Sequence, residues 1–158
     1  ADMYTRMDKL DMTLDEVVTL ASIVQKEAGD LSEMKQVAGV FHNRLNSSAY
    51  PYLQSDTTTN YIGATFIEGY EKGDELKDEE NQHYIDAYNS FTVKGLPAGP
   101  IANPGLDAIQ AVLYPAEHSY YFFVSDNAGQ YYYARTFEEH QANVAKVAQI
   151  NEQLSQED

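Results

Sequence analysis

A chain of 158 residues is the size of one domain and buries roughly two thirds of the surface that its unfolded form exposes. With 43% hydrophobic residues and thirteen tyrosines it has the material of a packed core, which excludes an intrinsically disordered chain. Twenty-five acidic against ten basic residues leave a net charge of -15 that argues against nucleic acid and anionic lipid surfaces as partners, and the lack of cysteine excludes disulfides and thiolate metal sites.

No apolar run reaches the roughly 18 residues needed to span a bilayer, and no signal-peptide pattern opens the chain. Residues 1–12 are expected to be a linker from a longer N-terminal region. Thr13 and Glu16 stand at capping-box spacing, and Leu14, Val17, Val18, Ala21 and Val24 then recur at helical period up to a stop at Gly29. Asp30 and Glu33 open a second helix with the stripe Met34, Val37, Ala38, Phe41 and Leu45, so the pair reads as a helical hairpin. Tyr50 to Gly63 predicts an extended lead-in and a short helix capped by Ser55 or Asp56. From Glu68 to Glu80 seven acids crowd thirteen residues, the composition of a solvated loop or a loose helix.

Three prolines and three glycines between Gly95 and Gly105 forbid a regular ladder and demand a shaped loop. Leu106, Ile109, Gln110 and Leu113 follow as a short helix ending near Tyr114. Tyr120 to Ser125 and Gln130 to Arg135 flank Asp126-Asn-Ala-Gly129 as a β-hairpin. Its tyrosines suit either cross-strand packing or the wall of a ligand groove. Thr136 and Glu139 repeat the capping-box spacing, and Val144, Val147, Ala148 and Ile150 carry a long last helix to an acidic tail expected to fray over 154–158. The fold class is α+β, with residues 13–153 as the functional domain.

Glu27 is the residue with chemistry to offer. On a helical wheel it stacks on Leu20, Ile23 and Val24, beside the buried stripe. Desolvation and the negative end of the helix dipole both raise a carboxyl pKa there, which suits a general acid; a helix-end glutamate with its head in water is the plainer alternative. Glycosidases commonly use two carboxylates, so a partner was sought. Glu16 lies about 16 Å away along the helix and is too far. Asp30 has a capping role open to it, and Asp56 suits a helix cap or a site equally. His42, His83, His118 and His140 share no metal-ligand spacing, and no nucleophile elbow is present, so neither a metal nor a cofactor is expected.

Ala21-Ser-Ile-Val-Gln-Lys-Glu27-Ala, Val37-Ala-Gly-Val-Phe-His-Asn-Arg-Leu45, Leu53-Gln-Ser-Asp56, Tyr88-Asn-Ser-Phe91 and the loop from Gly95 to Gly105 together resemble the MltG, or YceG-like, endolytic transglycosylase family. Tyr121-Phe-Phe-Val-Ser-Asp126 and Arg135-Thr-Phe-Glu-Glu-His140 match in order, and the likeness runs from about Leu14 to about Val147. The resemblance implies a lyase that cuts the MurNAc–GlcNAc bond of peptidoglycan strands, with Glu27 as single acid and base closing a 1,6-anhydro ring. Because the sugar's own C6 hydroxyl attacks, no second carboxylate is needed to activate water. Many relatives have Glu where this chain has Gln25, which leaves Glu27 as the essential acid. Gln54, Asp56, Tyr88, Asn89 and Asn103 are then expected to hold the sugars. Asn43 and Arg44 serve either the sugars or the fold, Arg44 by pairing a carboxylate such as Asp56. The resemblance also implies a membrane anchor absent from this chain, a place on the extracellular face of the cell membrane, and cell-wall synthases as partners. Nothing is implied for the acidic stretch. A non-catalytic wall-binding module and a hydrolytic muramidase are the competing readings.

Overall fold

The computed structural model describes residues 2–72 and 79–157, so residues 73–78, within the acidic stretch of Glu68 to Glu80, lie outside the described residues. Chain order is α1 (Met3–Leu10), α2 (Leu14–Glu27), α3 (Leu31–Leu45), α4 (Asp56–Thr59), α5 (Tyr61–Phe66), α6 (Gln82–Tyr88), α7 (Leu106–Leu113), β1 (Phe122–Ser125), β2 (Tyr131–Ala134) and α8 (Phe137–Glu157). The class is α+β as expected, with β1 and β2 antiparallel and Phe122 opposite Ala134.

α2 is the axis of the molecule. Thr13 and Glu16 form the expected capping box, and Ala28 ends the helix in extended backbone. The amphipathic stripe read from the sequence is only part of what is buried: positions 19 to 24 are all buried, on every side of the helix. α3 and α7 cover much of it. The Pro–Gly loop covers more, because the Ile101 amide donates to Ser22 Oγ at 3.0 Å and the Gly105 amide to Gln25 Oε1 at 2.9 Å. Gln25 therefore tethers that loop.

Asp30 caps α3 through the amides of Ser32 and Glu33, as expected. α3 in turn seats the chain that leads to β1. The Ala116 amide donates to the Lys35 carbonyl, and the Asn43 amide donates to the carbonyls of His118 and Tyr120 at 2.9 Å each. Close approach is possible because position 39 is glycine: a Cβ there would stand 2.4 Å from the Ala116 carbonyl oxygen and 2.6 Å from His118 Nε2.

Several local expectations differ from the structure. Residues 1–12 carry α1, with Met7 in the core, Arg6 Nε donating to the Leu113 carbonyl and its guanidinium 4.5 Å over Tyr114; one buried side chain in eight was too faint a period to read. In α7 the buried residues are Ala108, Ala111, Val112 and Leu113, so Leu113 is buried as expected while Leu106 is 84% exposed. Small side chains admit α7 between α2 and α3, and His42 Nε2 meets the Val112 carbonyl at 2.8 Å there. On α8 Val147 is buried but Val144 and Ala148 are exposed, since the helix lies over the narrow hairpin and buries a thin stripe. Its helical backbone extends to Glu157. α5 and α6 were not legible as separate helices.

Gly39→Ala is expected to destabilise the protein by about 1–3 kcal/mol, since backbone and not a flexible side chain blocks the added methyl group. A urea unfolding curve with an unchanged midpoint would contradict this seating of residues 116–118 on α3.

Candidate active site

Glu27 is the last residue of α2, and its side chain meets the chain that enters α4. Ser55 Oγ donates to Glu27 Oε1 at 2.7 Å, and Thr57 Oγ1 donates to the same oxygen at a longer 3.4 Å. No hydrogen bond from another described residue reaches Oε2. The glutamate's own carbonyl is held by the Tyr131 hydroxyl at 2.6 Å, which ties the C-terminus of α2 to β2. Burial is the main cause that raises the Glu27 pKa above its ordinary value of 4.5. The Ser55 and Thr57 hydroxyls oppose that rise by favouring the anion, and the charge of Asp56 adds to it.

The carboxyl opens on a cavity of about 420 Å³, within the range of small-molecule sites. Gln54, Ser55 and Asp56 form one wall, β1 with Phe122 and Phe123 another, and Arg44, Lys72 and His140 complete the lining. Asp56 is exposed and does not cap α4; Ser55 does, through the Thr58 amide. The same hydroxyl thus serves helix and glutamate, and the Asp56 carboxylate stands in the cavity without a capping task.

Arg44 is only 4% exposed and meets no carboxylate among the described residues, contrary to the expected pairing with Asp56. Its Nε donates to the Tyr121 carbonyl and its Nη1 to the Tyr52 carbonyl, both at 2.6 Å, with Gln54 Oε1 at 3.4 Å. The guanidinium lies 4.7 Å over Phe122, whose ring stacks on His140 at 5.1 Å. A buried cation satisfied by carbonyls keeps its charge available to the cavity. Gln54, in turn, has a left-handed backbone (φ 54°), a conformation of modest cost for a residue with a side chain and one that recurs at ligand sites. Its amide is held by the Ser90 carbonyl at 3.1 Å.

The remaining sequence-predicted residues stand apart. Asn43 is spent on the His118 and Tyr120 carbonyls, so the structure gives it the fold-holding role of its two alternatives. Asn89 Oδ1 accepts from the Phe91 amide in a local turn. Asn103 is exposed on the Pro–Gly loop, which does not line the cavity. Tyr88 packs on Tyr61 at 5.2 Å, in a neighbouring depression.

Sequence reasoning missed Ser90, the residue after Asn89. Fully buried, it accepts from the Ser55 amide and donates to the Ser55 carbonyl, both through Oγ, at 2.9 and 2.8 Å. The Tyr-Asn-Ser-Phe motif therefore reaches the glutamate indirectly, by fixing Ser55. His140 was missed as well: its Nδ1 is buried with no hydrogen-bond partner, while the ring lines the cavity. Only its place beside Glu139 in the last motif marked it. Of the hairpin, β1 supplies the cavity wall. The tyrosines of β2 anchor it: Tyr131 to Glu27, Tyr132 to Asp126 and Tyr133 to Glu33.

Comparison with known proteins places this geometry. The endolytic murein transglycosylase of Streptococcus pneumoniae serotype 2 (strain D39) is 32% identical over 154 residues, covering 96% of this chain and 27% of that protein. The endolytic murein transglycosylase of Bacillus subtilis (strain 168) is 33% identical over 149 residues, 93% of this chain and 38% of that one. The chain thus spans well under half the length of these curated relatives. A yceG-like protein of Listeria monocytogenes, known from a crystal structure, superposes with a TM-score of 0.68 at 30% identity, over 88% of this chain and 43% of its own. The YceG-like family model matches residues 1–146, and this chain belongs to the YceG-like family.

Proposed function

We propose that this chain is the catalytic domain of an endolytic murein transglycosylase, and that it cleaves the MurNAc–GlcNAc bond of peptidoglycan strands through Glu27 alone. The observation that carries the reading is a carboxyl group, raised in pKa by burial, at the mouth of a cavity of saccharide-binding size. In its acid form Glu27 gives a proton to the glycosidic oxygen while the bond from that oxygen to C1 breaks. The resulting carboxylate then takes the proton from the C6 hydroxyl as O6 bonds to C1, closing the anhydro ring. No water enters, and the proton count returns to its starting value. The Ser55 and Thr57 hydroxyls stabilise the carboxylate between the two steps, which keeps a buried acid from holding its proton too tightly. Asp56 supplies negative charge near the cationic transition state. Arg44, Gln54 and His140 are the polar groups placed to hold substituents of the sugars. The full-length protein would act outside the cell membrane on nascent strands, held by an anchor and working beside cell-wall synthases; among the described residues no helix is long and apolar enough to cross a membrane.

Asp56 supports a second reading. A carboxylate in the same cavity is what a hydrolytic muramidase needs to activate water. Product mass separates the two, since an anhydro end is one water lighter than a reducing end.

Glu27→Gln is expected to lower cleavage of purified glycan strands about a hundred- to ten-thousand-fold, with anhydro-ended products from the parent seen by mass spectrometry. Near-parent cleavage by the variant would reject the assignment, and parent strands left intact would favour a binding module. The raised pKa also has a stability signature. The folded state holds the Glu27 proton more tightly than the unfolded state, so its contribution is fully present below the ordinary value of 4.5 and is lost as pH rises through the folded value. Parent stability relative to Glu27→Gln should therefore fall as pH rises from below the ordinary value of 4.5 through the raised folded value. Thermal unfolding that shows a pH-independent difference would rule out the raised pKa.

A further inference from the structure

Beyond the cavity at Glu27 the surface does not close. Thr57 and Lys72 line that cavity and also a second depression, which runs past Asn60, Thr65 and Tyr70 to Tyr61. Tyr61 in turn lines a third depression with Phe66, Tyr84 and Tyr88. The three hollows share residues at each junction, so they make one continuous trough leading away from the glutamate.

The far end of the trough is aromatic and open. Phe66 is 64% and Tyr84 51% exposed. Other large exposed apolar side chains, such as Leu14 and Leu106, lie on other elements. Tyr61 holds the cluster together, edge-on to Phe66 at 6.2 Å and tilted against Tyr88 at 5.2 Å. Leaving two large rings exposed beside a third and a fourth costs solubility unless a ligand covers them. Exposed, rigidly backed rings with polar neighbours such as Asn60, Asn81 and Thr65 match the amphipathic faces of pyranose sugars, whose C–H faces stack on rings while their hydroxyls need hydrogen bonds. An enzyme that cuts within a strand must also hold sugars some way from the bond it breaks.

We propose that Tyr61, Phe66, Tyr84 and Tyr88 form a distal subsite that stacks sugar residues of the same glycan strand held at Glu27. The inference deepens the transglycosylase reading and rests on it for the identity of the strand. Its consequence is a preference for long strands over short oligosaccharides, because only a long strand reaches both the glutamate and the platform.

The test is a binding measurement on catalytically silent protein. Glu27→Gln protein, with and without Phe66→Ala and Tyr84→Ala, is titrated with purified glycan strands sorted into short oligosaccharides and long polymers. Loss of the two rings is expected to weaken long-strand binding about ten-fold while changing the affinity for short oligosaccharides by less than about two-fold. The ring-conserving pair Phe66→Tyr and Tyr84→Phe should restore parent affinity, which a general loss of folding would not do. Undiminished long-strand binding by the alanine variant, or equal losses for both lengths, would overturn the subsite even if the parent cleaves normally. Ring-dependent binding by a parent that cuts no strand would sustain the subsite and reject the transglycosylase.

Discussion

One hydrogen bond organises the centre of this molecule: the Ser55 hydroxyl, at 2.7 Å from a glutamate carboxyl that the fold has removed from water. Burial alone would leave Glu27 a reluctant acid, because loss of its proton creates an anion that a low-dielectric site disfavours. Hydroxyl donors alone would leave it an ordinary anion. The two effects oppose each other at the same group, with burial the larger and the pKa raised on balance. A residue that must give up a proton and take one back within a single reaction needs this intermediate standing.

The surrounding structure serves to keep that geometry fixed. α2 is buried on all sides over its middle and delivers Glu27 at its end, where the Tyr131 hydroxyl holds the carbonyl. Ser55 is fixed from the other direction by Ser90, which bonds both its amide and its carbonyl. The Pro–Gly loop acts at one remove: by covering Ser22 and Gln25 it closes a side of α2 that would otherwise be wet. Arg44 performs a similar service opposite the glutamate, joining Tyr52 to Tyr121 and so tying the Gln-Ser-Asp segment to β1. Four stretches far apart in sequence are thereby made into one rigid site, the arrangement that positioning of a substrate requires.

The electrostatics of the cavity depart from those of the whole chain. A protein of net charge -15 places Arg44, Lys72 and His140 around the cavity where Glu27 and Asp56 lie. Acid and base are therefore nearly balanced where the chemistry is proposed, while the excess of negative charge lies elsewhere.

The local order was legible because it is written at short range. Thr13 with Glu16 and Thr136 with Glu139 cap their helices as their spacing implies, Asp30 caps α3, and the hairpin falls on the two runs around Asp126 to Gly129. The wheel position of Glu27 at the edge of the α2 stripe already made burial of its carboxyl a fair inference. What periodicity hid were elements with weak contrast: α1 buries only Met7, and α7 packs through alanines while its leucine at 106 faces out. The motifs of Leu53 to Asp56 and Tyr88 to Phe91 were read as sugar contacts residue by residue. In the fold the first supplies the wall and the hydroxyl, and the second mostly supplies the clamp through Ser90.

By itself, then, the amino-acid order determined the helices α2, α3, α7 and α8, the hairpin and the family resemblance, and it singled out Glu27 as the candidate acid. Tertiary structure alone decided which groups meet that acid. Ser55 lies 28 residues from Glu27 and Tyr131 lies 104, separations at which no helical or strand period connects two side chains. Such pairs form only when burial of apolar faces has set the whole chain in place, so the partners of a buried carboxyl follow from how the core closes rather than from any local pattern.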